Sequence, residues 1–184
     1  MRRLLLLLFL GLIGGNCLAQ DVPILPPPPK PRMFAFYLSS PLGLLSKGRV
    51  KLEFYATREN SISASVCRYW GLFPGYQATL EYRHYFVPPH RHSENFIYAK
   101  GGYGDCEALV GGIFFPTNEQ GPGQFAIAGG GVGRHFNFGR RRAFFIDAAA
   151  GLKGAFVSQS AGQLFYTLGP GSIVDLNFHF GWQF

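Results

Sequence analysis

Apolar and polar side chains alternate along the final segment of the chain. Val174, Leu176, Phe178, Phe180, Trp182 and Phe184 hold one set of positions, and Asp175, Asn177, His179, Gly181 and Gln183 hold the other. A period of two belongs to a β-strand, whose successive side chains point to opposite faces, so the segment predicts a strand with one wholly apolar face. The pattern recurs upstream. Val50, Leu52, Phe54 and Ala56 alternate with Arg49, Lys51, Glu53, Tyr55 and Thr57. Tyr76, Ala78, Leu80, Tyr82 and Phe86 oppose Gln77, Thr79, Glu81 and Arg83, while Phe144, Ile146, Ala148, Ala150, Leu152 and Phe156 oppose Asp147 and Lys153. A softer version sets Ile62, Ala64 and Val66 against Ser61, Ser63, Ser65 and Cys67. Two further segments, near 95–114 and 123–138, are broken by glycine and leave their facing ambiguous. With a first strand at about 33–44, the count is eight.

An apolar sheet face needs a covering layer, and the chain shows no long helical pattern to supply one. Two arrangements remain: a soluble barrel with its apolar face inward, or a membrane barrel with that face outward. Strands of about 9–11 residues cross a bilayer when tilted. With both termini on the periplasmic side, periplasmic turns fall near Arg58–Asn60, Pro88–Glu94 and Gly139–Arg141, the second of them long for that side. Outward loops fall near Leu45–Lys47, Gly71–Gly75, Pro116–Pro122 and Ser158–Gly171, so the longest connection lies outside, as membrane barrels have it. The expected fold is therefore all-β: an eight-stranded antiparallel up-and-down transmembrane β-barrel over 33–184. Its lumen receives Lys51, Glu53, Glu81, Arg83, Asp147, Lys153, Asp175 and His179, a mixed set that can neutralise itself, as buried charges require. Eight strands leave an interior that side chains can fill, which is not an open pore.

Composition sharpens this picture. Sixteen per cent aromatic residues, 25 glycines and only 15% charged residues in 184 suit twisted strands with aromatic girdles. Arg2 and Arg3, then the apolar run Leu4 to Ile13, then Cys17-Leu18-Ala19 read as a signal peptide over 1–19, cleaved before Gln20. The alternative of lipidation at Cys17 meets Gly14 and Asn16 where that signal wants other residues. Residues 20–32, with prolines at 26–29, read as a stiff extended linker. The formal charge of +7 includes the leader's two arginines. What remains suits anionic lipid headgroups, and no basic reading element points to nucleic acid.

The leader, the eight short strands and the closing segment from Asp175 to Phe184 (DLNFHFGWQF) resemble the small outer-membrane barrels of the OmpX and OmpW type. The stretch Gly75 to Phe86 (GYQATLEYRHYF), followed by Phe96 to Tyr103 (FIYAKGGY), is similar to uncharacterised outer-membrane barrels of Bacteroidota. The likeness covers about 33–184. It implies a monomer in the cell outer membrane, among its lipids and lipopolysaccharide. It also implies that Phe178, Phe180, Trp182 and Phe184 form the C-terminal signal read by the barrel assembly machinery. It carries over no catalytic residue, cofactor or metal site.

Candidate chemistry is thin. His90-Arg91-His92-Ser93-Glu94 is the crowded cluster, but it sits in a proline-led turn without an oxyanion donor, and two histidines make an incomplete metal site. Arg140-Arg141-Arg142 reads as a turn anchored at headgroups. Gly129 to Gly133 lacks the strand–helix unit of a nucleotide loop and reads as a glycine-rich strand. Cys67 and Cys106 face an oxidising compartment but fall on the third and fifth strands, so free thiols are expected over a bridge. The expected role is a structural or surface-interaction barrel with loops 116–122 and 158–171 as its working surface. Three alternatives stay open: a passive or lateral conduit for small apolar solutes, an outer-membrane lipid-modifying enzyme, and a soluble periplasmic lipocalin-like binder.

Overall fold

The structure is a computed structural model. It describes residues 33–39, 47–70, 73–86, 93–107, 123–138, 143–158, 165–166 and 170–184. The leader, the proline-rich linker, the arginine run 140–142 and loop 116–122 lie outside the described residues, as does most of loop 158–171.

Eight strands follow one another: β1 (Phe34–Ser39), β2 (Lys47–Tyr55), β3 (Asn60–Tyr69), β4 (Gly75–Phe86), β5 (Ser93–Cys106), β6 (Gly123–Phe138), β7 (Phe144–Val157) and β8 (Val174–Gln183). Each pairs antiparallel with its neighbour in sequence, and β8 returns to β1, so the sheet closes into a barrel. Closure leaves no free edge, which is the requirement for a sheet that meets lipid rather than water. Following direct partners from strand to strand carries Phe34 of β1 round to Val174 of β8. Phe34, however, accepts a backbone hydrogen bond from Phe184, ten residues further on (174 against 184). That stagger tilts every strand against the barrel axis.

Several boundaries differ from expectation. The fifth strand is Ser93–Cys106, displaced toward the N-terminus from 95–114. Ser93 and Glu94 therefore leave the expected turn and enter the wall. Asn60 likewise opens β3, and the turn tightens to 56–59. There Thr57 Oγ1 accepts from the backbone amides of Glu59 (3.3 Å) and Asn60 (3.0 Å), holding the hairpin.

The glycine-rich stretch is strand throughout. Gly131 of β6 lies directly opposite Gly151 of β7. A Cβ on Gly131 would stand 2.3 Å from the Ala150 carbonyl oxygen and 2.5 Å from Gly151 Cα, so only glycine allows this close crossing.

The inner face is layered. Toward the terminal end, where Met33 meets Phe184, Ala35, Tyr37, Tyr55, Tyr85, Phe96, Tyr98 and Phe145 pack together. Toward the loop end, Phe73, Cys106, Phe125, Ile127 and Phe165 form a second apolar cluster. Charged side chains occupy the space between and among them. Cys67 and Cys106 are both buried and free.

Candidate functional site: a charged interior inside an apolar wall

The eight residues expected in the lumen all stand on the inner face of their strands. Lys51, Glu53, Arg83, Asp147, Asp175 and His179 are buried, and Glu81 and Lys153 are partly so. Period-two alternation put them there: the facing set out from the final segment holds through β2, β3, β4, β7 and β8.

Arg83 is the hub. Its Nε donates to Glu81 at 2.5 Å and its Nη1 to Asp147 at 2.6 Å, with Glu53 at 3.7 Å. Lys51 reaches Glu81 from the other side at 3.2 Å. Glu53 also accepts from the hydroxyls of Tyr37, Ser61 and Tyr85. The Arg83 guanidinium lies 4.3 Å from the Phe96 ring, and the Lys51 ammonium 4.2 Å from that of Tyr37. Each carboxylate thus meets a cation and several donors, the condition under which charge is tolerated away from water.

Asp175 belongs to a separate group nearer the loop end. It accepts from Lys100 (2.5 Å), Tyr98 (2.6 Å) and Asn177 (2.9 Å), and Asn177 in turn accepts from Arg49 (2.8 Å). Lys153 shares the inner face without an ion pair to either group among the described residues. His179 stands edge-on to Tyr37, ring centres 6.0 Å apart, and its Nδ1 has no hydrogen-bond partner among the described residues.

Several members of these networks escaped the sequence. Lys100 and His135 sit on the glycine-broken strands whose facing was ambiguous. His135 lies opposite Asp147 in the register and meets it at 2.5 Å, while its other nitrogen meets Asn137 at 3.0 Å. The usable signal was parity: Ile97, Ala99, Gly101 and Tyr103 share the outer face of β5, which sends Lys100 inward. With both ring nitrogens engaged and its ring stacked on Phe145 at 4.6 Å, His135 is built to hold position rather than to activate a nucleophile.

The crowded cluster at 90–94 separates. Ser93 and Glu94 are adjacent strand residues, so they point to opposite sides of the wall and cannot act as a pair. Ser93 accepts from Arg134 at 2.8 Å, and Glu94 is buried inside. His90 and His92 lie outside the described residues.

The outer face is the inverse of the inner one. Phe34, Leu52, Ile62, Val66, Leu80, Phe156 and Leu176 all lie open, the last at 68%. Rings gather at the terminal end, where Phe34 meets Phe54 at 5.6 Å and Phe144 meets Trp182 at 5.6 Å. Phe178, Trp182 and Phe184 of the closing strand are exposed on this face, and Phe180 is partly covered.

No protein-family model and no curated protein matches the chain. Among solved structures, the N-terminal β-barrel domain of Pseudomonas aeruginosa OprF is similar. The two superpose with a TM-score of 0.56 at 14% identity, over 82% of this chain and 95% of that domain. At that identity the likeness is one of fold.

Proposed function

We propose that this chain is an integral barrel of the cell outer membrane, serving a structural or surface-interaction role through the loops at 116–122 and 158–171. One observation carries the reading: charges face inward in closed networks while large apolar side chains face outward. In water that arrangement exposes far more apolar surface than a monomeric protein sustains, and in a bilayer it is the favourable one. A lipocalin-like binder requires the opposite facing. The OmpX- and OmpW-like reading, the Bacteroidota likeness, the cleaved leader and the role of Phe178, Phe180, Trp182 and Phe184 in assembly all belong to this proposal. So do its partners, which are outer-membrane lipids, lipopolysaccharide and the assembly machinery, with the barrel itself a monomer.

A passive or lateral conduit for small apolar solutes is the second reading, and solutes crossing by the lumen would have to pass Arg83 and its three carboxylates. The reading assigns no catalytic residue. Membrane fractionation followed by a cold detergent gel tests it. An outer-membrane band that migrates faster unboiled than boiled is expected, and a soluble periplasmic band without a shift would refute it. Planar-bilayer conductance would favour the conduit. A changed lipid A profile on deletion would favour an enzyme.

A further inference from the structure

Arg134 of β6 faces outward on the terminal-end half of the wall, between Asn95 of β5 and Ala148 of β7. Its Nη2 donates to Ser93 Oγ at 2.8 Å, and its guanidinium stands 5.2 Å from the Phe136 ring. Its Nε is buried without a hydrogen-bond partner among the described residues. From Arg134 toward mid-wall runs an apolar groove of about 600 Å³. Ala148 and Ala150 form a low floor, Val132 with Ile97 beyond it one flank, and Leu176 and Phe178 the other. Successive outward alanines on β7 therefore leave a trough that ends on a cation with an unmet donor.

A hydrocarbon chain fills such a trough by removing apolar surface from its surroundings. The cation calls for an anionic acceptor, since a buried donor left unpaired is costly and a charge-assisted bond to phosphate is strong. One molecule of the surrounding bilayer carries both parts. We propose that the groove holds a single phospholipid of the periplasmic leaflet, its phosphate accepting from Arg134 and an acyl chain lying over Ala148 and Ala150. This rests on the outer-membrane reading above.

The wall supplies its own control. A second groove of about 590 Å³, lined by Leu52, Val66, Ala78, Leu80 and Tyr103 among others, has no charged residue in its lining. Folded protein in detergent is titrated with phosphatidylglycerol and examined by native mass spectrometry. Wild type is expected to retain one lipid, and Arg134→Met to weaken retention about tenfold. Ala150→Phe, which fills the trough, should do the same, while Ala78→Phe in the second groove should leave retention unchanged. Variants are compared only after showing the heat-dependent gel shift, so loss of the lipid site is distinguished from failure of the membrane reading. Retention by Arg134→Met equal to wild type would overturn the proposal. So would equal retention of dioleoylglycerol, which lacks phosphate, or a dimer that excludes lipid and is broken by Ala150→Phe, which would make a second copy the occupant.

Discussion

Replacing Arg83 by methionine keeps much of the side-chain volume and removes the hub of the interior. Arg83 lies 2.5 Å from Glu81, 2.6 Å from Asp147 and 3.7 Å from Glu53, and its own side chain is 3% exposed. Without it, Lys51 still holds Glu81 and His135 still meets Asp147. Glu53 keeps only hydroxyl donors among its described contacts. Removing one partner of a buried pair costs about 3–5 kcal/mol, because the charge left behind is uncompensated. At about 1.4 kcal/mol per decade, the unfolding equilibrium shifts by roughly 10² to 10³ or more. Urea unfolding of the barrel in lipid vesicles measures this directly. Trp70 and Trp182, both exposed on the outer face near opposite rims, report loss of the lipid-facing wall. The companion variant Arg83→Met with Glu53→Gln removes the orphaned acid and should recover part of the loss. If Arg83→Met unfolds within about 0.5 kcal/mol of wild type, the interior charges are hydrated rather than paired, and the packed-lumen account is wrong.

The outer wall predicts the reverse sensitivity. Leu80→Arg and Leu152→Arg, each placing a cation at a side chain 65% open to the surroundings, should cost about 2–4 kcal/mol in vesicles if they sit near mid-bilayer. Ala56→Arg, in the exposed turn, should cost almost nothing by the same titration. Gly131→Ala drives a methyl group into the Ala150 carbonyl, and about 1–3 kcal/mol of destabilisation is expected from thermal unfolding. Phe184→Ala, altering a side chain 79% exposed, should slow insertion in cells while leaving the unfolding midpoint of the finished barrel unchanged. Pulse-chase assembly beside in vitro unfolding separates the two effects.

Strand number and the facing of β2, β3, β4, β7 and β8 were legible because side chains alone reveal a period of two. Where the side chain is missing, the period vanishes. Gly101, Gly102 and Gly104 on β5, and Gly129 to Gly131 with Gly133 on β6, carry no mark of which way they point. Lys100 and His135 sit among them, so an ionisable member of each network stayed hidden. A second obstacle was chemical. Tyr37, Tyr85, Phe96 and Phe145 line the interior, against the rule that apolar residues face lipid. They fill the terminal end of the lumen, and the tyrosine hydroxyls supply donors to Glu53. The Arg83–Asp147 pair joins residues 64 positions apart, and only closure of the sheet brings them together.

The facing of β4 is the most direct test of the whole account. Nitroxide labels placed one at a time from Gln77 to Phe86, with Cys67 and Cys106 replaced by serine, read collision with lipid-soluble oxygen and with an aqueous nickel chelate. Alternation is expected, with Ala78, Leu80 and Tyr82 favouring oxygen, and Gln77, Thr79 and Glu81 shielded from it. Outward positions that instead favour the aqueous reagent would mean that the apolar wall meets water, and the membrane barrel would be contradicted.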